Sequence, residues 1–273
     1  MSEKPINGSS NGHVERMFND ISHKYDMLNN LLSLGIDRSW RRKLIGRLER
    51  KQAIHLLDVA TGTGDLAIAA ALSTQATITA TDIAEKMMEV GRLKADKLNL
   101  NGRIRFQRAD AESLPFPDNT FDALMVGFGI RNFHHFGQGL LELHRVLKPG
   151  GQLLILEFSM PANPLLSKCF KLYFGKILPK VGRFISKHPD AYNYLPESVK
   201  EFPYGHQFVK CLQRAGFETA HFTTLSSGIA MLYEAYAGVQ EESIRVVAPN
   251  GSAVKSQEVS RIHSPHDTLQ AEK

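Results

Sequence analysis

Apolar and polar positions change period several times along this chain, and each change marks an element. From Val14 the apolar residues recur at steps of three and four, as Val14, Met17, Phe18 and Ile21, which is the spacing of one helix face. Met27, Leu28, Leu31, Leu32, Leu34 and Ile36 continue that apolar surface, and Trp40, Leu44 and Leu48 follow on a basic helix from Arg38 to Arg50. The period then shortens. Apolar runs at Ala53–Val59, Ile78–Thr81, Arg103–Ala109, Phe121–Val126 and Gln152–Phe158 read as strands. Helices are predicted after the first, second and fourth, over Leu66–Leu72, Ala84–Leu98 and Gly137–Leu147. Lys148-Pro149-Gly150-Gly151 stops the last of these and turns the chain. The run Gln152–Phe158 is nearly all apolar, as a central parallel strand covered on both faces must be.

Beyond Pro161 the regularity breaks. Residues 160–205 mix Leu, Phe, Tyr and Lys, and predict one or two amphipathic helices inserted as a lid-like cover, with Tyr192, Tyr194 and Tyr204 near its end. Phe208–Ala215 is a further helix, stopped by Gly216. Glu218–Leu225 and Gly228–Tyr236 are strands joined at Ser226-Ser227, a link so short that the pair must be antiparallel. Alternating strands and helices predict an α/β fold with a doubly wound, mostly parallel sheet and an antiparallel last strand. The domain spans 14–238, with 14–50 as a helical cover, and the polar ends 1–13 and 239–273 are expected to be disordered.

The sharpest local signal is Leu56-Leu57-Asp58-Val59-Ala60-Thr61-Gly62-Thr63-Gly64-Asp65, where a strand meets a glycine turn and an alanine-rich helix. Gly62 and Gly64 remove the Cβ atoms that would keep a ligand off the backbone. The helix start offers free N–H groups. Gly62-x-Gly64-x-x-Ala67 also fits a dinucleotide fingerprint, and a tight connection without a ligand fits it too. Two carboxylates shift the balance. Asp58 at the strand end suits a cation and repels a pyrophosphate. Asp82, ending the next strand, stands where an acid takes ribose hydroxyls. Asp110 ends the third strand and could accept from an adenine amino group, or cap a short turn. Gly127-Phe128-Gly129-Ile130-Arg131-Asn132 follows the fourth. All four strand ends lie on the edge where doubly wound sheets bind ligands. A ligand with a ribose, a cationic part and no phosphate fits them, and S-adenosylmethionine is such a ligand.

Composition narrows the rest. The chain has 273 residues, 42% of them hydrophobic and 22% charged, an ordinary globular balance. No uncharged apolar run approaches the roughly 18 residues needed to span a bilayer, and the first residues lack the apolar core of a signal peptide, so a cytoplasmic location is expected. Cys169 and Cys211 stand apart from other ligand types, and no metal site is expected. The net charge is +5, too weak for a nucleic-acid binder. Between Met160 and Lys210, eight basic residues face three acidic ones, which matches the whole excess. A basic, apolar cover of this kind suits contact with anionic lipid, peripheral at the inner face of a membrane.

Several of these stretches resemble the UbiE/MenG family of quinone-biosynthesis C-methyltransferases. They are Asp58–Asp65, Asp110-Ala111-Glu112-Ser113-Leu114-Pro115-Phe116, Phe128–Asn132 and Arg145–Gly151. Lys24-Tyr25-Asp26 with Asn29, Gly35-Ile36, Trp40, Pro196-Glu197-Ser198-Val199 and Ala215-Gly216-Phe217 extend the likeness over about residues 14–238. The resemblance implies a class I S-adenosylmethionine-dependent methyltransferase fold, Rossmann-like with seven strands. It implies C-methylation of a polyprenyl hydroquinone, either demethylmenaquinol or the benzoquinol precursor of ubiquinone. It also implies cofactor contacts at Thr63, Asp82, Asp110 and Ala111. Some members carry a serine where Gly127 stands, so that contact is reduced here to backbone. A homodimer is one expected assembly.

A sulfonium donor needs no metal; the enzyme must align donor and ring carbon and raise the nucleophilicity of the ring. Arg131 is the expected cation beside the ring oxygen, Asn132 would orient that oxygen, and Tyr25 would close the other side. His134 and His135 are read as loop bystanders. A nicotinamide-dependent reductase is the competing enzyme class, and a non-catalytic membrane-docked subunit the competing role.

Overall fold

The computed structural model describes residues 11–33, 35–48, 55–173 and 198–239. Its strands are β1 (His55–Val59), β2 (Thr77–Asp82), β3 (Ile104–Arg108), β4 (Phe121–Gly127), β5 (Leu147–Phe158), β6 (Phe217–Leu225) and β7 (Ala230–Ala237). They form one sheet in the order β3-β2-β1-β4-β5-β7-β6. The first five pair in parallel, and β7 runs antiparallel to both β5 and β6. The expected α/β architecture, antiparallel ending included, is the one observed. The order reverses between β1 and β4, which opens a crevice at their carboxyl ends.

The helices are α1 (Asn11–Ser33), α2 (Ile36–Arg47), α3 (Asp65–Ser73), α4 (Glu85–Lys97), α5 (Phe136–Val146), α6 (Pro164–Leu172) and α7 (His206–Arg214). Successive strand residues point to opposite faces, and the core divides accordingly. Leu57, Val59, Leu124, Val126, Leu153 and Ile155 pack with Leu140 and Leu143 of α5 and Phe208 and Leu212 of α7. Their neighbours Leu56, Ala123, Met125, Leu154 and Leu156 pack with Trp40 and Leu44 of α2 and with α3. α3 is apolar on nearly every side, from Leu66 to Ala71, because it lies deep in this layer.

Three expectations need correction. β5 starts at Leu147, not Gln152. Leu147 pairs with Phe121 and Gln152 with Ala123, so the Pro149-Gly150-Gly151 stretch is a bulge inside the strand. Gly150 supplies the left-handed φ of 74° the bulge requires, and Lys148 Nζ reaches Asp122 at 2.6 Å. The apolar surface read through Met27 and Ile36 is not wholly packed: both side chains are exposed. The helical cover also begins earlier than Val14, at Asn11. Residues 174–197 of the insertion, with Tyr192, Tyr194 and Pro196-Glu197, lie outside the described residues, as do 1–10 and 240–273 of the two ends.

Candidate active site

The crevice at the β1/β4 switch holds a cavity that opens to solvent. Its floor is the strand-end set: Ala60, Gly62, Asp82, Asp110, Ala111, Gly127 and Gly129. Its apolar walls are Ile83 and Met87 on one side, Phe128 and Phe133 on another, and Val14 and Phe18 from α1 across the top. Tyr25 and Asn132 also face it. The loops that follow β1 and β4 touch here. A Cβ on Gly129 would sit 2.5 Å from Ala60 Cβ, so only glycine allows this approach. Ala60 (φ 54°) and Phe128 (φ 59°) both lie in the left-handed region, a form of backbone strain that recurs at ligand sites.

Asp82 closes the glycine turn. Its carboxylate accepts the N–H of Gly62 at 2.8 Å and that of Ala84 at 2.8 Å. Burial nevertheless raises its pKa above the usual carboxylate range. The Gly62 N–H that would serve a pyrophosphate is therefore committed to an acid. Asp58 is fully buried. Its Oδ2 accepts from Thr61 Oγ1 at 2.5 Å and from Ala67 N–H at 3.1 Å, while Oδ1 has no partner among the described residues. Burial pushes the Asp58 pKa up to about 7, against the pull of those two hydrogen bonds. An orphaned buried carboxylate oxygen beside a second buried acid fits a cationic nucleoside better than a dinucleotide. Asp110 caps its own turn, accepting from Glu112 N–H at 2.9 Å, while lining the cavity. The turn-capping reading is the one the hydrogen bond bears out, and the residue's place in the lining keeps the cavity side of Asp110 open to a ligand.

Other expected residues are placed differently. Thr63 Oγ1 donates to Asp26 at 2.5 Å and accepts from Lys94 at 3.2 Å, so its hydroxyl ties α1 and α4 to the glycine turn. Gly64 lies against the Phe106 ring, where a Cβ would come within 2.9 Å; it serves packing as much as ligand access. Arg131 does not wall the cavity. It is 6% exposed, and its Nη1 donates to Phe128 C=O at 2.6 Å and to Glu157 Oε1 at 2.6 Å. Its guanidinium lies over the Phe158 ring at 5.5 Å, and Nε has no partner among the described residues. His135 is exposed and meets Glu112 at 2.9 Å; neither it nor His134 faces the cavity.

Two residues escaped sequence reasoning. Glu157 is fully buried, an acid inside an apolar strand, and that isolation was the signal: such a charge requires a partner. Burial raises its pKa while Arg131 pulls it down. Arg41 projects from a helix read only as a cover, and no spacing pointed to it.

A sequence model described as the ubiE/COQ5 methyltransferase family matches residues 6–237. The chain belongs to that family. It is an S-adenosylmethionine-dependent methyltransferase, and the strand-end acids fit that cofactor. Among relatives of the family, a Bacteroides fragilis protein named demethylmenaquinone methyltransferase is 46% identical over 84% of this chain and 94% of its own length. A Geotalea daltonii protein named ubiquinone/menaquinone biosynthesis C-methyltransferase UbiE is 44% identical over 81% and 94%. The solved structure of the [4+2]-cyclase SpnF superposes with a TM-score of 0.65 at 19% identity, covering 88% of this chain and all of that one. A Haemonchus contortus phosphoethanolamine N-methyltransferase 2 in complex with S-adenosyl-L-methionine gives 0.57 at 15% identity, covering 73% of this chain and 52% of that one. A cyclase and an N-methyltransferase on one scaffold show the fold alone.

Proposed function

We propose that this ubiE/COQ5-family methyltransferase transfers a methyl group to a ring carbon of a polyprenyl hydroquinone, and that demethylmenaquinol is its substrate. The observation that carries this reading is the two-sided character of the cavity. Acids line the strand ends, while Val14, Phe18, Phe128 and Phe133 form an apolar wall suited to a flat ring. The relatives named for demethylmenaquinone support the choice of acceptor. The benzoquinol precursor of ubiquinone is the second reading, supported by the relatives named for both quinones.

S-adenosylmethionine would supply an activated methyl on a sulfonium, leaving as the neutral thioether, and the ring proton the methyl replaces would pass to solvent water. The protein holds and orients. Asp82 and Asp110 would take the ribose hydroxyls and the adenine edge, and Asn132 would orient the ring oxygen. Burial raises the Tyr25 pKa, outweighing the Asn29 hydrogen bond and the fields of Arg131 and Arg41. Tyr25 therefore stays protonated at neutral pH and can donate to that oxygen. Arg131 acts from one layer behind, its charge felt at Tyr25 and shared with Glu157. The apolar ridge of α6, with Leu165 and Leu172 exposed, would bring the site to the lipid in which such a substrate dissolves.

The test is incubation with labelled cofactor and each quinol, with products identified by mass. Methylated menaquinol is the expected product. Label in the benzoquinol alone would transfer the assignment, and label in neither would end it.

A further inference from the structure

The helix across the top of the crevice, α1, carries two stripes offset by one residue. Val14, Phe18 and Tyr25 line the cavity, and the rings of Phe18 and Tyr25 meet edge to face with centroids 5.9 Å apart. One residue on, about 100° around the helix, Glu15, Asn19 and Asp26 each hold a partner on the body of the domain. Glu15 accepts from Arg108 Nη2 at 2.9 Å, and Asn19 Oδ1 accepts the N–H of Lys86 at 3.0 Å. Asp26 commits both carboxylate oxygens, Oδ1 to Thr63 Oγ1 at 2.5 Å and Oδ2 to Lys94 Nζ at 2.8 Å. This polar stripe fixes the rotation of α1 and, with it, the face that α1 turns to the cavity.

Of these three ties, the one through Lys94 lies next to Tyr25. Lys94 stands on α4 and does not line the cavity. Its ammonium donates to Asp26, to Thr63 Oγ1 at 3.2 Å and to Asp65, one acceptor for each of its three protons. Thr63 and Asp65 therefore give the nitrogen a set place from which to hold Asp26. The side chains of Lys94 and Asp26 are 25% and 41% exposed, and a pair so open to water adds little to global stability. Its effect is on where the neighbouring residue sits. We propose that Lys94 is a positioning residue for methyl transfer, holding Tyr25 through Asp26 where the phenol meets the ring oxygen of the acceptor. This rests on the role given to Tyr25 above.

A double-mutant cycle tests it, with quinol methylation measured for the unmodified protein, Lys94→Met, Tyr25→Phe and the double variant. Displacing a positioned group by about 1 Å costs up to about a hundredfold in rate, so Lys94→Met is expected to lower kcat by about tenfold or more. Calorimetry with S-adenosylhomocysteine should stay within about threefold, since the tie is not a ligand contact. If Lys94 acts through Tyr25, the double variant is no slower than the slower single variant; losses that multiply overturn the proposal. A cofactor affinity that falls as far as kcat would mean that Lys94 only braces the glycine turn, and overturns it as well. Asp26→Asn keeps an acceptor for Thr63 and serves if Lys94→Met does not fold; it should show the same loss of kcat, and an unchanged kcat overturns the proposal. Amide exchange over residues 22–29 reads the tie without any acceptor. It is expected to quicken in Lys94→Met, and unchanged exchange overturns the proposal. If the unmodified protein methylates neither quinol, the acceptor reading fails, and the exchange still decides whether Lys94 holds the Tyr25 turn.

Discussion

Asp58 combines full burial, two hydrogen bonds and one unsatisfied oxygen. Its folded pKa of about 7 lies above the unfolded value near 3.9. The folded state therefore holds a proton that the unfolded state has lost between about pH 4 and pH 7, and stability falls as pH rises through that window. A cationic ligand in the adjoining crevice reverses this by favouring the carboxylate. Cofactor binding near pH 6.5 is thus expected to release protons, measured by calorimetry in buffers of different ionisation enthalpy. Asp58→Asn should abolish that release; an unchanged release would place the proton elsewhere. The Arg131–Glu157 pair makes a second prediction. Removing one partner strands a buried charge, so Arg131→Ala and Glu157→Gln should each lose about 3–5 kcal/mol in urea unfolding. The double variant Arg131→Met/Glu157→Leu should lose less than the sum. Additive losses would show that the two do not act as a pair. Loss of turnover in Arg131→Ala alone is thus no proof of a chemical role, since the variant is destabilised as well.

At the scale of elements, the crevice depends on how closely the β1 and β4 loops approach. Gly129→Ala would drive a methyl into Ala60, at 2.5 Å, where both neighbours are backbone-anchored and cannot swing aside. The variant is expected to fold with a lowered Tm and to bind S-adenosylhomocysteine at least about tenfold more weakly, read by thermal melting and calorimetry. Wild-type affinity would show that the loops can part without widening the site. Gly127→Ser presents a contrast. Its Cβ would meet Leu66 Cδ2 at 3.2 Å, a side-chain end that can yield, and Leu66 Cβ only at 4.0 Å. Strand and helix types were legible along most of the chain because each apolar run kept one period. The start of β5 was not: Pro149-Gly150-Gly151 has the local chemistry of a stop, and only pairing of Leu147 with Phe121 makes it a bulge. The ends of β1, β2 and β3 were legible as acids. Glu157 was passed over inside an apolar run, and Arg41 carried no local signal at all.

For the whole molecule, the relation to membranes follows from where apolar surface is left uncovered. Among the described residues no helix is long and apolar enough to cross a bilayer. α6 instead exposes Leu165 at 73% and Leu172 at 51%, with Lys168 exposed between them. On the reading proposed above, α6 would lie on an interface, held by its apolar side and by attraction to anionic lipid. The protein is expected to sediment with phosphatidylglycerol vesicles and less with phosphatidylcholine vesicles. Leu165→Glu should reduce sedimentation without changing affinity for the cofactor. Equal sedimentation of variant and wild type would move the membrane face off α6.

The order of elements, the antiparallel ending and the acids at successive strand ends were already determined by the sequence, because periodicity, turn chemistry and strand-end position are local properties. Tertiary structure alone decided which charges meet. Arg131 and Glu157 stand 26 residues apart, and Arg41 reaches Asp58 from a different layer. In a buried crevice the effect of a charge depends on its neighbours and on exclusion of water, and neither is written in the order of residues.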